Sequence, residues 1–500
     1  MNAYDMSPVR RKLLKGMAGA CALPFVGAFA ALHSREVLAA NGVTALVGSP
    51  YGPIAPVADL STGLPLLQLP AGFSYKSYGW RGDIMSDGRP CPGDHDGMGV
   101  IVTRALGGST EHVLVRNHEI KDGDRDDFIR AIGVYDTGDV NFWSRKRSCG
   151  GTTNLVFRDG DWVSMTPSLG GTRQNCAGGV TPWGTWLSCE EIGSDSVTDG
   201  GKKHGYVFEV TADPGQVSGQ PIVNMGRFAH EAAAVDPATG NVYLTEDAGG
   251  KSGFYRYVPD VKNGAPGSLA LGGVLEMARV RGRANVNLAG AQVNETHELE
   301  WVPVPEPDAD RGDATGLNGE KVRNAAGPFV QGWKNGALRM NRGEGIWYAQ
   351  GRIYVMDTAG GPVQRGAIWE LDLARQSLGC IYASPGELVG NMGDNLTVSP
   401  RNALLICEDG SNAITDEFGF GQRLMGLTAA GDAYVFAKNN IDLSETQLRA
   451  AGKRESLAGD RRGNEFTGVC FDPAGSYLFV NIQSPGVTFA IWGPWASGPL

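Results

Sequence analysis

Five stretches of the chain can be set beneath one another: CAGGVTPWGTWLSCEE from Cys176, EAAAVDPATGNVYLTED from Glu231, EGIWYAQGRIYVMDT from Glu344, DNLTVSPRNALLICEDG from Asp394 and EFTGVCFDPAGSYLFVNIQ from Glu465. Each opens on a carboxylate or a thiol, runs through a short apolar strand, turns at Pro, Gly or Asn, and returns through an alternating strand. The first residues are 55 apart from Cys176 to Glu231, 50 apart from Glu344 to Asp394, and about twice that from Glu231 to Glu344. From Asp394 to Glu465 the step is 71, the mark of an insertion. A period near fifty made of short strands and tight turns is the pattern of a β-propeller. The segments between the repeats, such as HVLVRNHE, NLVFRDGDWVSMT, YVFEVTAD and IWELDLA, alternate apolar and polar residues with period two. With an earlier unit that ends at Glu119, the count predicts an all-β propeller of about six blades. Helix is expected only in short insertions such as Ser444–Arg454. Gly is 73 of 500 residues, about twice the usual share of roughly 7%, as many tight turns require.

The repeat also predicts chemistry. The first strand of each propeller blade lines the central channel, so a residue in the same place in every repeat belongs to a ring around one axis. Cys176, Glu231, Glu344, Asp394 and Glu465 are expected to converge there, with second acids from the returning strands close by. Carboxylates gathered in one space repel one another and rise in pKa unless cations neutralise them. The blander reading is that acids at strand ends are solvated or anchor turns. A thiol in the same slot as the acids weighs against it. Oxygen donors suit Ca²⁺, and an iron site can combine them with a thiolate. Zinc is not favoured, because no CxxC pair and no pair of histidines at ligand spacing occurs. His118 and His230 each precede a candidate acid and are expected behind the ligands, orienting them.

The chain carries 54 acidic and 44 basic residues, a net charge of −10, and has no cluster of Lys and Arg outside the N-terminus, which argues against a nucleic-acid partner. That N-terminus reads as a targeting segment over residues 1–40. Arg10-Arg11-Lys12-Leu13-Leu14-Lys15 is a twin-arginine signature, followed by an apolar run and small residues at Ala39 and Ala40 before Asn41. The apolar run is short for a membrane span and contains Pro24, so no stable membrane anchor is expected. The remainder, 41–500, is expected to be a single propeller domain, exported by the twin-arginine machinery to the periplasm or beyond, and monomeric. Seven cysteines remain after the signal, so at least one is unpaired. Cys189, Cys407 and Cys470 lie in apolar runs and read as small buried residues. Cys91 and Cys149, in loops, are candidates for a disulfide.

A family resemblance rests on VRNHE (Val115–Glu119), GGTTNL (Gly150–Leu155), NCAGGVTPWGTWLSCEE (Asn175–Glu191), GRFAHEAAAVDPATGNVYLTED (Gly226–Asp247), NRGEGIWY (Asn341–Tyr348), GDNLTVSP (Gly393–Pro400), CEDG (Cys407–Gly410) and NEFTGVCFDP (Asn464–Pro473). Through these the sequence resembles the PhoX-type alkaline phosphatases over nearly the whole chain after the signal. The resemblance implies an exported phosphatase acting on small phosphate esters, with iron and calcium ions bridged by an oxo group. It implies that Cys176 is the iron thiolate ligand and that Glu119, Glu231 and Asp247 are among the acids of the cluster. Glu344, Asp394 and Glu408 are implied as further metal ligands, and Arg342 as a phosphate-binding group. The chain is shorter than the larger members, so loops that shape substrate access are expected to differ.

Arg342 and Glu344 are two residues apart, which puts both side chains on one face of a strand. A guanidinium there can grip phosphoryl oxygens while cations neutralise the dianion. The competing readings are a phosphodiesterase or calcium-dependent lactonase on a similar propeller, and a binding propeller with no catalysis. A lactonase needs no thiolate, which turns Cys176 against it.

Overall fold

The computed structural model describes residues 44–124, 127, 129–140, 143, 145–193, 197–262, 264–410 and 412–500. The twin-arginine segment read from the sequence lies outside the described residues. Six inner strands follow one another around the axis: His95–Leu106, Asn175–Val180, His230–Val235, Gly343–Ala349, Gly393–Val398 and Phe466–Phe471. Each packs against the next, and the sixth packs against the first, so the ring closes at six blades. Behind each inner strand the chain meanders outward through antiparallel neighbours. Blade 4 shows the plan, with Gly343–Ala349, Arg352–Asp357, Ala367–Asp372 and Ser377–Ala383 paired in sequence.

The ring is fastened by both ends of the described chain. Strand Ser74–Tyr78 supplies the outer strand of blade 6 by pairing with Val487–Trp492. Blade 5 gains Leu67–Pro70 on its outer edge, where it pairs with Ala433–Asn439. Strand Thr296–Pro303 pairs with the outer strands of both blade 3 and blade 4, tying the two into one sheet. These additions cover edges that would otherwise expose unpaired backbone groups.

The hairpins between the first and second strands show why the sequence turns where it does. In blade 3, Asp236 accepts from the Ala238 N–H at 3.0 Å and the Thr239 hydroxyl at 2.6 Å, and Gly240 takes φ 73°. Blade 6 repeats the device, with Asp472 accepting from Ser476 N at 2.7 Å and Tyr477 N at 2.6 Å, and Gly475 at φ 67°. The acid replaces missing ladder bonds and glycine supplies the left-handed residue. Helix is scarce among the described residues: Gly327–Lys334, and Glu445–Ala450 with a capping box between Ser444 and Gln447, inside the stretch expected to be helical. Apolar faces pack between the blades, and Cys189, Cys407 and Cys470 are buried among them.

The seven cysteines among the described residues are all free and buried. The disulfide between Cys91 and Cys149 is therefore corrected. The Cys91 sulfur accepts from Arg116 Nη2 at 3.1 Å, while the Cys149 thiol donates to the Asp124 carbonyl at 3.6 Å. No helix among the described residues is long and apolar enough to cross a membrane.

Candidate metal centre

The inner strands share a defect at their first turn of ladder, and it builds the site. In blade 4, Gly343 pairs with Asp357 and Ile346 with Val355, so three steps on one strand oppose two on the other. The same one-residue bulge recurs after His95, Asn175, His230, Gly393 and Thr467. A bulge swings its extra residue out of the pleat. The residue in that slot is Asp96, Cys176, Glu231, Glu344 and Asp394 in blades 1 to 5. In blade 6 it is Gly468, and Glu465 reaches in from three residues earlier. Blade 6 has no room for a slot side chain: a Cβ on Gly468 would lie 2.5 Å from the Asp96 carbonyl oxygen.

A second tier comes from the residue that follows the second strand of the blade. Glu119, Glu191 and Asp409 stand there in blades 1, 2 and 5 and are partly exposed, whereas the slot residues beneath are buried. Together the tiers make four donor groups, each with atoms within 4.8 Å of one another: Asp96, Glu119 and Cys176; Cys176, Glu191 and Glu231; Glu231, Glu344 and Asp394; Asp394, Asp409 and Glu465. Adjacent groups share a member, so the donors run unbroken around the mouth of the channel. Burial and the neighbouring acids push the carboxyls of Asp96, Glu191, Glu231, Glu344 and Glu465 well above their usual range. Asp394 is pushed up to about 8 by burial and then by Asp409 and Glu119. The Cys176 thiol is held high by burial and Asp96, to which it donates at 3.7 Å.

Several of these oxygens are orphans. Asp96 Oδ1, both oxygens of Glu231 and Glu465 Oε2 are buried with no hydrogen-bond partner. Buried carboxylate oxygens without donors are costly, and they suit hard cations. Two glutamines complete the mouth. Gln174 Nε2 donates to Glu119 at 3.3 Å and Glu191 at 3.2 Å, and Gln483 Nε2 donates to Glu119 at 2.8 Å. The donor set fits a cluster of metal ions.

Of the residues singled out from sequence, the structure brings together Glu119, Cys176, Glu231, Glu344 and Asp394. Asp247 stands at the edge of the group. It accepts from Arg342 Nε at 2.8 Å and Nη2 at 2.7 Å, and Glu344 lies 3.0 Å from the same guanidinium. Arg342 takes φ 79°, a strained value for a side-chain-bearing residue, and such strain gathers at functional sites. Its side chain is 35% exposed against 5% for Glu344, so the cation lies on the solvent side of the acids. Glu408 does not join the group, which corrects the sequence expectation. Its carboxylate faces the blade, accepting from Arg423 Nε at 2.6 Å and Nη2 at 2.8 Å, and from the Asn391 N–H at 2.7 Å. The next residue, Asp409, is the one that faces the channel. His118 and His230 likewise face the blades and hydrogen-bond the carbonyls of Gly93 and Gly226.

Asp96, Glu191 and Asp409 were not among the sites inferred from sequence, although a signal existed. Four slot residues are followed by Gly or Ala: Gly97, Ala177, Ala232 and Gly345. The inner strands crowd there, so a Cβ on Gly97 would lie 2.4 Å from the Ala177 Cα, and one on Gly345 2.7 Å from the Asp394 carbonyl oxygen. An acid followed by a small residue at the head of a strand marks the slot, and Asp96-Gly97 fits it. A small cavity of about 20 Å³ lies beside the slot residues, lined by Met98, Ile346, Trp347 and Leu396 among others.

The sequence matches the family described as Alkaline phosphatase PhoX over residues 49–168 and 156–486. Comparison with curated protein sequences finds no match. Among solved structures, the chain is similar to Pseudomonas fluorescens PhoX in complex with vanadate, a transition-state analogue. The identity is 18% and the TM-score 0.60, over 89% of this chain and 99% of that one. A gluconolactonase from Xanthomonas campestris is 13% identical with a TM-score of 0.30, over 81% of this chain and 96% of that one.

Proposed function

Because the chain belongs to the PhoX alkaline phosphatase family, we propose that it is an exported phosphatase that hydrolyses phosphate monoesters at a calcium and iron cluster in the mouth of the propeller. The observation that carries this reading is the unbroken run of four donor groups, with orphaned buried oxygens, beside a guanidinium that reaches solvent. Cys176 would bind iron, and the all-oxygen groups around Glu344, Asp394, Asp409 and Glu465 suit calcium. When bound, the cations supply Lewis-acid charge opposite the phosphoryl oxygens.

The protein's own groups would do the rest. Without cations the gathered acids repel a phosphate dianion. Arg342 is the positive side chain in contact with them and would bind the phosphoryl oxygens. Asp247 holds that guanidinium through two hydrogen bonds before substrate arrives, so little ordering remains to be done. Export through the twin-arginine segment would deliver the chain folded, with metal already in place.

Metal analysis of the purified protein, paired with hydrolysis of 4-nitrophenyl phosphate, tests the reading. Iron and calcium should both be bound, and chelation should abolish hydrolysis. Cys176→Ser should lose iron and the visible colour of a ferric thiolate while keeping much of the calcium. An active, coloured and iron-replete Cys176→Ser protein would overturn the assignment of the thiol.

A further inference from the structure

In blades 1 to 4 the slot residue is followed by glycine or alanine, but in blade 5 Asp394 is followed by Asn395. That asparagine is only 5% exposed. Its size is unusual for the position. Gly97 faces the next blade so closely that a Cβ would lie 2.4 Å from the Ala177 Cα, and one on Gly345 would lie 2.9 Å from the Asn395 Cα. Asn395 itself faces Gly468 of blade 6, which has no side chain, and there an amide can enter.

The amide spans the two blades. The Gly468 N–H donates to Asn395 Oδ1 at 2.6 Å, and Asn395 Nδ2 donates to Asp394 Oδ1 at 2.9 Å. A backbone N–H can only donate, so the amide oxygen has to face Gly468 and the amide nitrogen has to face the acid. Asn395 also lines the small cavity beside the slot residues, where the other side chains are apolar or aromatic. An amide buried in such surroundings is costly unless its hydrogen bonds are made. Here one of them goes to an acid that belongs to two donor groups, with Glu231 and Glu344 and with Asp409 and Glu465. No other hydrogen bond to the Asp394 carboxylate occurs among the described residues.

Resting on the phosphatase reading above, we propose that Asn395 is a positioning residue for the calcium side of the cluster. It ties Asp394 Oδ1 to the backbone of blade 6 and leaves Oδ2 for the cations of the two all-oxygen groups. Asn395 acts through Asp394 rather than on the phosphate, fixing a carboxylate that has no other hydrogen bond to orient it. Asparagine suits the place because one group must donate to a carboxylate and accept from an N–H at the same time. The donor groups that contain Cys176 do not include Asp394, so the thiolate side of the cluster is outside its reach.

The test is Asn395→Ala, which gives blade 5 the residue that blades 2 and 3 carry, with Asn395→Gly, the residue of blades 1 and 4, as a second variant. Calcium affinity is measured by titrating calcium into the calcium-depleted full-length protein, and iron is followed by metal analysis and by the visible ferric-thiolate band. Calcium affinity should fall about tenfold, the usual effect of removing a partner behind a metal ligand, while iron content and colour stay at the wild-type level. Hydrolysis of 4-nitrophenyl phosphate should fall at limiting calcium and recover when calcium is raised about tenfold. Unchanged calcium affinity would overturn the positioning role. Loss of iron and calcium together would overturn it too, since that marks general damage to the ring, and both outcomes leave the phosphatase reading intact. A wild type that binds no calcium would overturn the phosphatase reading and the positioning role with it.

Discussion

The second strands of blades 2, 3 and 5 each end in two adjacent acids, and within each pair the two carboxylates meet opposite surroundings. Glu190, Glu246 and Glu408 face the blades, and each is satisfied by the protein. Glu190 accepts from His204, from Arg173 N and from Gly205 N. Glu246 accepts from the Tyr255 hydroxyl and Gly253 N, and Glu408 from Arg423. Their neighbours Glu191, Asp247 and Asp409 turn toward the channel. There, with the slot residues, acids meet acids, and orphaned oxygens appear at Asp96, Glu231 and Glu465. One set of carboxylates holds the blades; in the other, Asp247 is met by Arg342 and the rest are built to be neutralised from outside the chain. Two neighbouring residues of the same chemistry can therefore differ wholly in role, because strand alternation assigns them to opposite faces.

Substitutions in the two sets should separate cleanly. The largest effect is expected on the channel side. Glu231→Gln should cut hydrolysis of 4-nitrophenyl phosphate by about 1000-fold, or about 4 kcal/mol in the barrier. The metal-free protein should melt no lower, since removing one of several crowded acids relieves repulsion. A variant that keeps full activity would show that the channel acids are not the working set. On the blade side, Glu408→Gln should cost about 3 kcal/mol of stability in urea unfolding, because it leaves the buried Arg423 charge with only the more distant Asp416, at 3.8 Å. Metal content should stay at the wild-type level. Metal loss without destabilisation would restore Glu408 as a ligand and erase the distinction between the two sets.

The smallest of the three effects concerns His204, whose Nδ1 lies 2.7 Å from Glu190 Oε1 and whose Nε2 lies 3.2 Å from Asp136 Oδ2. Burial pulls its pKa down, but the charge of Glu190 and the hydrogen bonds to both acids outweigh this and hold it at about 9. The folded value lies above the unfolded one of about 6.5, so the stabilisation is complete below that pH and is lost as pH rises through about 9. A shift of this size corresponds to about 3 kcal/mol. Urea unfolding of the metal-loaded protein between pH 6 and pH 9.5 should show that loss, and His204→Asn should flatten it. An equal slope in the variant would assign the pH dependence elsewhere.

Much of this was legible in the sequence, through period more than through composition. The fifty-residue repeat predicted about six blades, and the first residues of the repeats marked Cys176, Glu231, Glu344 and Asp394 as neighbours in space. Glu465 was read as in register with them. The structure puts it three residues before the slot, because blade 6 has Gly468 where its inner strand crosses the Asp96 backbone. Asp96 escapes the repeat pattern because the first unit is marked only by its end, at Glu119. The resemblance implies Glu408 as a ligand; the sequence shows that Asp409 adjoins it and does not show which of the two the pleat turns inward.

The sequence by itself determined the strand periodicity, the turn chemistry of Asp236 and Asp472, and the residue types available to bind metal. These depend on local sterics and on spacing along one chain. The tertiary structure alone decided which acid of each pair faces the channel and which slot stays empty. Those outcomes depend on where the bulges fall and on how neighbouring blades press against each other. Both are set by contacts between residues far apart in the chain, such as Gly468 against Asp96 and against Asn395.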